Sequence, residues 1–128
     1  MCFSGLDVGE KCTINFSCLI DGRGGLTIRN NVNISHGVKI FTMGHDINDP
    51  YAGTQARSVE ICDNVWIFPD VLIMPGVTLR EGSVIYPGAV VSRSTEAFGI
   101  YAGNPAKLAG LRNLEIKYSA EFPVWFGV

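Results

Sequence analysis

The stretch that decides the fold is ICDNVWIFPDVLIMPGVTLREGSVIYPGAVV, residues 61–91. From Ile61 to Val91 every sixth residue is aliphatic, and the fifth place of each six-residue unit is small or β-branched. A helix would space its apolar residues about 3.6 positions apart, and the strands of a sandwich would be separated by turns at intervals of about 8 to 12 residues. Neither pattern has a period of six, whereas a short strand followed by a tight corner does.

The same register runs through the N-terminal half, with units beginning at Val8 and again at Ile28. It breaks twice: GRGG adds two residues, and a polar loop over residues 43–58 adds fifteen. Three units would close one triangular coil, and stacked coils would place parallel strands about 4.8 Å apart. We therefore expect an all-β chain, a single-stranded parallel β-helix of about four triangular coils with one protruding loop. The coils are expected over residues 8–27, 28–60, 61–78 and 79 to about 94.

Composition sets the broad class of the protein. The 128 residues, 47% apolar and 17% charged, predict one globular domain. A net charge of −2 provides no basic surface, so nucleic acid is not an expected partner. No apolar run approaches the ~18 residues needed to span a bilayer, and the first residues lack the features of a signal peptide. A cytoplasmic protein without a membrane span is therefore expected.

The four cysteines show no pattern of a metal or redox site. Cys2, Cys12, Cys18 and Cys62 form no CxxC pair and no cluster with histidine, so no metal is expected. Reduced thiols are predicted. Cys12 and Cys18 occupy the fifth place of their units, where later units have valine, and should fill the core.

The order of motifs resembles the hexapeptide-repeat acyltransferases, in particular the branch of galactoside, maltose and polysaccharide O-acetyltransferases. The motifs are GHDINDP in the loop, ICDNVWI where the repeat resumes, IMPGVTLREGSVIYPGAVV, and AGNPAK after the last unit. The resemblance implies a left-handed helix, contrary to the usual right-handed crossover. It also implies a homotrimer with active sites between chains and acetyl-CoA as cosubstrate. Residues 1–107, including loop 43–58, would form the acyltransferase domain, and residues 108–128 a C-terminal cap or tail.

His45 matches the catalytic histidine of this family. The resemblance implies a general base on a saccharide hydroxyl, which attacks acetyl-CoA directly without an acyl-enzyme, because imidazole can accept a proton near neutral pH. The ring should be oriented by a carboxylate or a carbonyl. Asp46 and Asp49 are candidates for that role, although DINDP is also a common turn sequence. His36 is expected to be a corner side chain.

The remaining site residues also come from the resemblance. Asn15, Asp21 and Asp46 are the expected acceptor contacts. Ser17 and Gly22 stand where the sugar enzymes carry Asn and Asp, so the resemblance does not identify the saccharide. The expected coenzyme contacts are Trp66, Arg93, Ala102, Gly103, Asn104 and Lys107, with Arg112 as a further candidate for a phosphate. Trp66 should lie close to His45 and the pantetheine arm.

Two further patterns concern the exterior and the C-terminus. The second places of six units should point outward as one apolar stripe, buried against neighbouring chains or the coenzyme; they are Phe41, Cys62, Phe68, Met74, Arg80 and Tyr86. The spacing of Leu111, Leu114, Tyr118 and Phe122 predicts a short amphipathic helix, with an extended segment as the alternative. Either would cap the stack of coils.

Two other functions fit the same sequence. An N-acyltransferase would use the same donor on an amino sugar or another small amine, although GHDINDP favours oxygen. A scaffold protein without chemistry could also be built on this repeat, since a fold does not fix a function.

Overall fold

The computed structural model describes residues 4–121, and the regular elements in this range are all β-strands. Sheet 1 contains, in spatial order, β1 (Leu6–Val8), β4 (Leu26–Ile28), β9 (Val59–Ile61) and β12 (Thr78–Leu79). Sheet 2 contains β2 (Thr13–Ile14), β5 (Asn33–Ile34), β10 (Trp66–Ile67), β13 (Val84–Ile85), β15 (Gly99–Ala102) and β16 (Lys107–Leu111). Sheet 3 contains β3 (Leu19–Ile20), β6 (Lys39–Ile40), β11 (Leu72–Ile73) and β14 (Val90–Val91). A separate hairpin pairs β7 (Met43–His45) with β8 (Thr54–Ala56).

From β1 to β14, apart from the β7–β8 hairpin, the chain visits the three sheets in strict rotation and adds one strand to each sheet per turn; β15 and β16 both join sheet 2. All pairings within the three sheets are parallel except the last, between β15 and β16. The all-β class and the parallel three-sided arrangement predicted from the period of six are therefore confirmed.

The strand register shows how the stack accommodates both breaks in the repeat. In sheet 1, Ile61 lies beside Leu79, eighteen positions later. Val8 lies beside Ile28, twenty positions later, and Ile28 lies beside Ile61, thirty-three positions later. The two extra residues of GRGG and the fifteen of the loop 43–58 therefore lie outside the strand ladder, and the register of the strands is the same on both sides of each insertion.

A column of aliphatic side chains fills the interior. The first-place residues from Ile20 onward are at most 1% exposed: Ile20, Ile28, Ile34, Ile40, Ile61, Ile67, Ile73, Leu79, Ile85 and Val91. Cys12 and Cys18 pack against this column as free, half-buried thiols, which confirms the expected filling role. Burial raises the pKa of both thiols, so they stay protonated near neutral pH.

The corners explain why the period is so short. The fourth place of successive units has a positive φ, between 57° and 62° at Lys11, Ser17, Asn31, Asn64 and Asp70. Later units place glycine there, as at Gly82. A left-handed residue turns the chain sharply, and Gly, Asn and Asp tolerate that conformation best. Each unit therefore needs only two paired residues and a corner.

The C-terminal segment differs from the expected helix. Lys107–Leu111 forms β16, antiparallel to β15, and residues 112–121 contain no helix. The backbone N–H of Arg112 donates to Phe98 O at 2.7 Å, and its guanidinium donates to the carbonyls of Asn64 and Gly82 at 3.1 and 3.2 Å. These bonds fix the chain across successive corners, where a helix could not form them. Phe122 lies outside the described residues.

We call residues 112–121 the strap, because they run back across the coils toward the N-terminal end. The Asn31 side chain donates to Tyr118 O at 3.1 Å and accepts from Ala120 N–H at 2.6 Å. The Thr13 hydroxyl donates to the Ala120 carbonyl. The strap is thus extended, and it contacts four successive coils along sheet 2 or at the corners before its strands.

The interior column predicts a large difference between inward and outward substitutions on neighbouring strands. Ile67→Ala removes a fully buried side chain and should lower the free energy of unfolding by about 2–5 kcal/mol. Lys39→Ala, on an exposed position of β6, should change it by less than about 0.5 kcal/mol. Denaturant unfolding followed by circular dichroism measures both, and equal losses would contradict a packed column.

Candidate active site

The hairpin that carries His45 leaves the stack where the chain passes from sheet 3 to sheet 1. His45 ends β7 and lies opposite Thr54 of β8. The backbone N–H of Arg57 donates to Thr42 O at 2.8 Å, so the two ends of the excursion are tied together at its base. The hairpin therefore projects as a fixed element rather than as an open loop.

The His45 ring has a defined hydrogen-bond partner. Its Nδ1 lies 2.9 Å from the carbonyl oxygen of Ala52, and the side chain is otherwise exposed. Because a carbonyl can only accept, Nδ1 carries the proton and the neutral ring keeps a free lone pair on Nε2. The sequence predicted that a carboxylate or a carbonyl would orient the ring, and in the structure the partner is a carbonyl.

The two aspartates of the loop hold its turn instead. Asp46 Oδ1 accepts from Asn48 N–H at 2.9 Å. Asp49 accepts from Tyr51 N–H at 2.9 Å and from Gly53 N–H at 3.0 Å. These contacts match the turn interpretation of DINDP, and neither carboxylate is bonded to the imidazole.

A groove of about 480 Å³ opens beside His45 between the hairpin and sheet 3. Its walls are mostly apolar, with a few polar groups near the base. The lining residues are Phe41, Met43, Gly44, His45, Gln55, Arg57, Met74, Pro75 and Ser92. Such a mixture of apolar wall and few polar groups suits a small-molecule site.

The second-place residues form three ladders, not the single stripe expected from the sequence. Phe41 and Met74 follow paired strands of sheet 3 and line the His45 groove together. Phe68 and Tyr86 follow paired strands of sheet 2 and stack with ring centroids 5.9 Å apart. The cause is geometric: second places of consecutive units fall on successive faces of the stack, so only places one full coil apart align.

Trp66 lies on the outer face of sheet 2. Its ring centroid is 5.9 Å from that of Phe68 and 5.3 Å from that of Tyr118 in the strap. The groove around His45 does not include it. Within one chain, therefore, Trp66 is not brought to the imidazole.

The two predicted acceptor residues of the first coil have different surroundings. Asn15 is half-buried next to β2, and its amide donates to Ile34 O at 3.3 Å. Asp21 is buried beside the GRGG excursion, where its two carboxylate oxygens accept from Arg23 Nε at 2.9 Å and from Arg23 Nη2 at 2.8 Å. The Arg23 guanidinium lowers the pKa of Asp21 below its ordinary value of 3.8. The ion pair gives Asp21 a structural contact that the sequence did not predict.

The AGNPAK motif forms the turn between β15 and β16 at one end of sheet 2. Ala102 pairs with Lys107, and Gly103 O accepts from the backbone N–H of Val90 in β14 at 3.0 Å. Arg93 follows β14 and is exposed. The structure thus collects Ala102, Gly103, Asn104, Lys107 and Arg93 near one end of the stack.

Arg112 and His36, which were both considered in the sequence analysis, contact other residues of the chain. Arg112 bonds two corner carbonyls and donates to the Tyr118 hydroxyl at 2.6 Å, so its guanidinium is already engaged. His36 stacks on Phe16 with centroids 5.3 Å apart, as a corner side chain.

Two residues of the site were not predicted from the sequence. Ala52 acts through its backbone carbonyl, which leaves no trace in side-chain identity. Arg57 lines the same groove as His45. Its position near the end of the loop 43–58 could have drawn attention to it, because residues at the two ends of an inserted loop lie close together where the loop leaves and rejoins the coil.

The described range has two further properties. Within residues 4–121, no group of three or more His, Cys, Asp or Glu side chains is placed to hold a metal ion. No helix over that range has the length and hydropathy needed to cross a bilayer.

Residues 58–93 match the family described as bacterial transferase hexapeptide (six repeats). This chain is a hexapeptide-repeat protein. The resemblance inferred from the sequence is confirmed by this match and by solved structures. A Clostridium difficile 630 maltose O-acetyltransferase superposes with a TM-score of 0.81 at 30% identity, over 86% of this chain and 60% of that one. A galactoside acetyltransferase in complex with coenzyme A gives a TM-score of 0.77 at 28% identity, over 86% and 56%.

The hexapeptide chain also has relatives among curated sequences. A Schizosaccharomyces pombe protein named as a candidate acetyltransferase is 37% identical over 102 residues, which is 77% of this chain and 49% of the relative. A Saccharomyces cerevisiae protein named in the same way is 37% identical over 108 residues, 82% of this chain and 55% of the relative. The chain therefore spans about half the length of the curated relatives it matches.

The ion pair in the first coil of this hexapeptide chain predicts a pH-dependent stability. Asp21→Asn should lower the melting temperature at pH 7, because the bidentate bonds from Arg23 need the carboxylate. Since the pKa of Asp21 is depressed on folding, this contribution is complete above the ordinary value of 3.8 and is lost as the pH falls through the folded-state value.

Melting curves of both proteins from pH 7 down to the acid limit test this expectation. The difference in melting temperature should be constant at pH 7 and pH 5 and should shrink below pH 3.8. A difference that stays the same at every pH would contradict a role for the charge.

Proposed function

We propose that this chain is an acetyl-CoA-dependent O-acetyltransferase that transfers an acetyl group to a hydroxyl of a saccharide. The observation that carries the proposal is the 2.9 Å contact between His45 Nδ1 and Ala52 O, which leaves Nε2 free as a base beside an apolar groove. The hexapeptide match and the similarity to proteins named maltose O-acetyltransferase and galactoside acetyltransferase support this class of reaction.

The proposed step needs one proton acceptor. His45 Nε2 takes the proton of the acceptor hydroxyl as its oxygen attacks the thioester carbonyl. The tetrahedral intermediate collapses with formation of the ester C–O bond and cleavage of the C–S bond. The imidazolium returns the proton to the departing thiolate, so free coenzyme A and the acetylated saccharide leave. The Ala52 carbonyl accepts from Nδ1–H throughout the step and so holds the ring in one orientation.

The coenzyme is proposed to extend from this groove toward the AGNPAK turn. Ala102, Gly103 and Asn104 offer backbone and amide groups, and Lys107 and Arg93 offer exposed cations for its phosphates. Arg112 is omitted from this set because its guanidinium is bonded within the chain. Asn15 and Asp46 remain in the proposed acceptor site, while Asp21 contributes through its ion pair with Arg23 to the shape of the first coil.

A homotrimer of left-handed helices would complete the site. Trp66, Phe68 and Tyr86 form an apolar patch on sheet 2, and His45 lies at a different edge of the same chain. In a closed ring each chain presents one face to a different face of the next. The proposed contact sets Trp66 of one chain against the His45 groove of its neighbour. We also propose that the stack has about four coils, that β16 and the strap cap it, and that the protein is cytoplasmic.

Substitution of the base tests the chemistry. His45→Ala should lower the rate of thiol release from acetyl-CoA by about 10²–10⁴-fold with a saccharide acceptor, because the attacking hydroxyl loses its proton acceptor. His36→Ala removes the chain's other histidine, which stacks on Phe16, and serves as the matched control with near-normal turnover. Near-normal turnover of the His45 variant would remove this residue from the mechanism.

Charge placed in the sheet-2 patch tests the assembly. The double variant Phe68→Glu, Tyr86→Glu should dissociate the trimer, because two carboxylates would be desolvated at the contact. Arg80→Glu changes a second-place residue on sheet 1 and should leave the trimer intact. Sedimentation velocity distinguishes the species, and an unchanged sedimentation coefficient in the double variant would contradict the proposed contact.

A further inference from the structure

The charges around the groove are unbalanced. Among its lining residues are one guanidinium, from Arg57, and one imidazole, from His45, but no carboxylate. Within residues 4–121 the ion pairs are Arg23–Asp21, Arg29–Glu60 and Lys117–Glu115, and the Arg57 side chain has no hydrogen-bond or ionic partner there. An unpaired cation beside a reactive base is a site for an anion.

The fold fixes the position of Arg57. Its N–H donates to Thr42 O at 2.8 Å, and its carbonyl accepts from the Gly76 N–H at 3.2 Å, so the backbone is held on both sides. The side-chain stem lies over Gly76, with Cδ 3.5 Å and Cβ 3.6 Å from where a β-carbon at that glycine would stand. The stem thus packs along the corner of the next coil, and the guanidinium lies at the groove.

The proposed reaction adds a second positive charge in the same groove as the Arg57 guanidinium. When His45 takes up the proton it becomes a second cation, and none of the residues that line the groove supplies a carboxylate to balance it. An anionic group on the acceptor would offset both positive charges. The phosphates of coenzyme A are separated from the thioester by the whole pantetheine arm, so they cannot reach a cation that shares a groove with the base.

We propose that Arg57 binds an anionic group of the acceptor, so that the preferred substrates are acidic saccharides bearing a carboxylate or a phosphate. This inference rests on the proposed function for the identity of the acceptor. It adds a specificity residue to the site: Arg57 recognises the acid group while His45 activates a hydroxyl of the same sugar.

The test compares acceptors that differ only in the acid group. Methyl β-D-glucuronide carries a carboxylate where methyl β-D-glucoside carries a hydroxymethyl group, and methyl β-D-glucoside 6-phosphate supplies a phosphate at the same carbon. The wild-type chain should use the better of the two acids about tenfold more efficiently, as kcat/KM, than the neutral glucoside. Whichever acid is preferred identifies the anion, and the preference should weaken with added salt.

Variants separate recognition from other roles of the residue. Arg57→Gln should abolish the preference by raising KM for the acid far more than KM for the neutral acceptor, and Arg57→Lys should restore part of it. Arg80→Gln, which removes an exposed arginine of sheet 1 outside the groove, should leave the preference intact. Sedimentation velocity of Arg57→Gln should match that of the wild type.

The outcomes are distinct. A wild type without preference, or an equal loss on every acceptor in Arg57→Gln, would overturn the inference and leave the acetyltransferase proposal standing. If none of the acceptors supports thiol release from acetyl-CoA, the proposed function is wrong instead. In that case isothermal titration of the uronide and the glucoside into both proteins still decides the role of Arg57: tighter uronide binding that Arg57→Gln removes supports it, and equal binding overturns it.

Discussion

The parallel ladder filled by one column of aliphatic side chains is the constraint on which the rest of the structure depends. Each first-place residue packs on the residue of the coil above and below, as Ile28, Ile61 and Leu79 do in sheet 1. Hydrophobic burial and backbone pairing therefore demand the same register. An inserted residue cannot enter a coil without breaking both, so every insertion must leave at a corner and return to the same place.

That constraint creates the site. The fifteen extra residues between Ile40 and Ile61 cannot be absorbed in the stack, so they form a hairpin with its base closed between Thr42 and Arg57. The hairpin sets His45 against outward residues of sheet 3, which the neighbouring coils hold in place. The division of roles is clear: the stack supplies a rigid wall, and the excursion supplies the groups that can do chemistry.

Much of this architecture could be predicted because it depends on the identity and spacing of side chains. The period of six, the phase breaks and the packing of the half-buried Cys12 and Cys18 against the core all follow from which residues are aliphatic or small. His45 could be picked out because it stands in a motif with a family resemblance.

What could not be predicted depends on backbone groups or on folding in three dimensions. The Ala52 carbonyl that orients the ring belongs to no motif. The outward second places separate into three ladders because each face of the stack recurs only once per coil. The spacing of Leu111, Leu114 and Tyr118 imitates a helix, but the bonds of Arg112 to Asn64 and Gly82 favour an extended path.

The strap changes the physical character of the stack. In a coil assembly where every layer touches only its neighbours, the end layers can fray independently, and stability grows piece by piece. Residues 112–121 join the corners of Gly82 and Asn64 to Asn31 and Thr13 near the opposite end. Loosening of an end layer therefore disturbs contacts several layers away, and what would be a linear array of separable layers becomes a single cooperative unit.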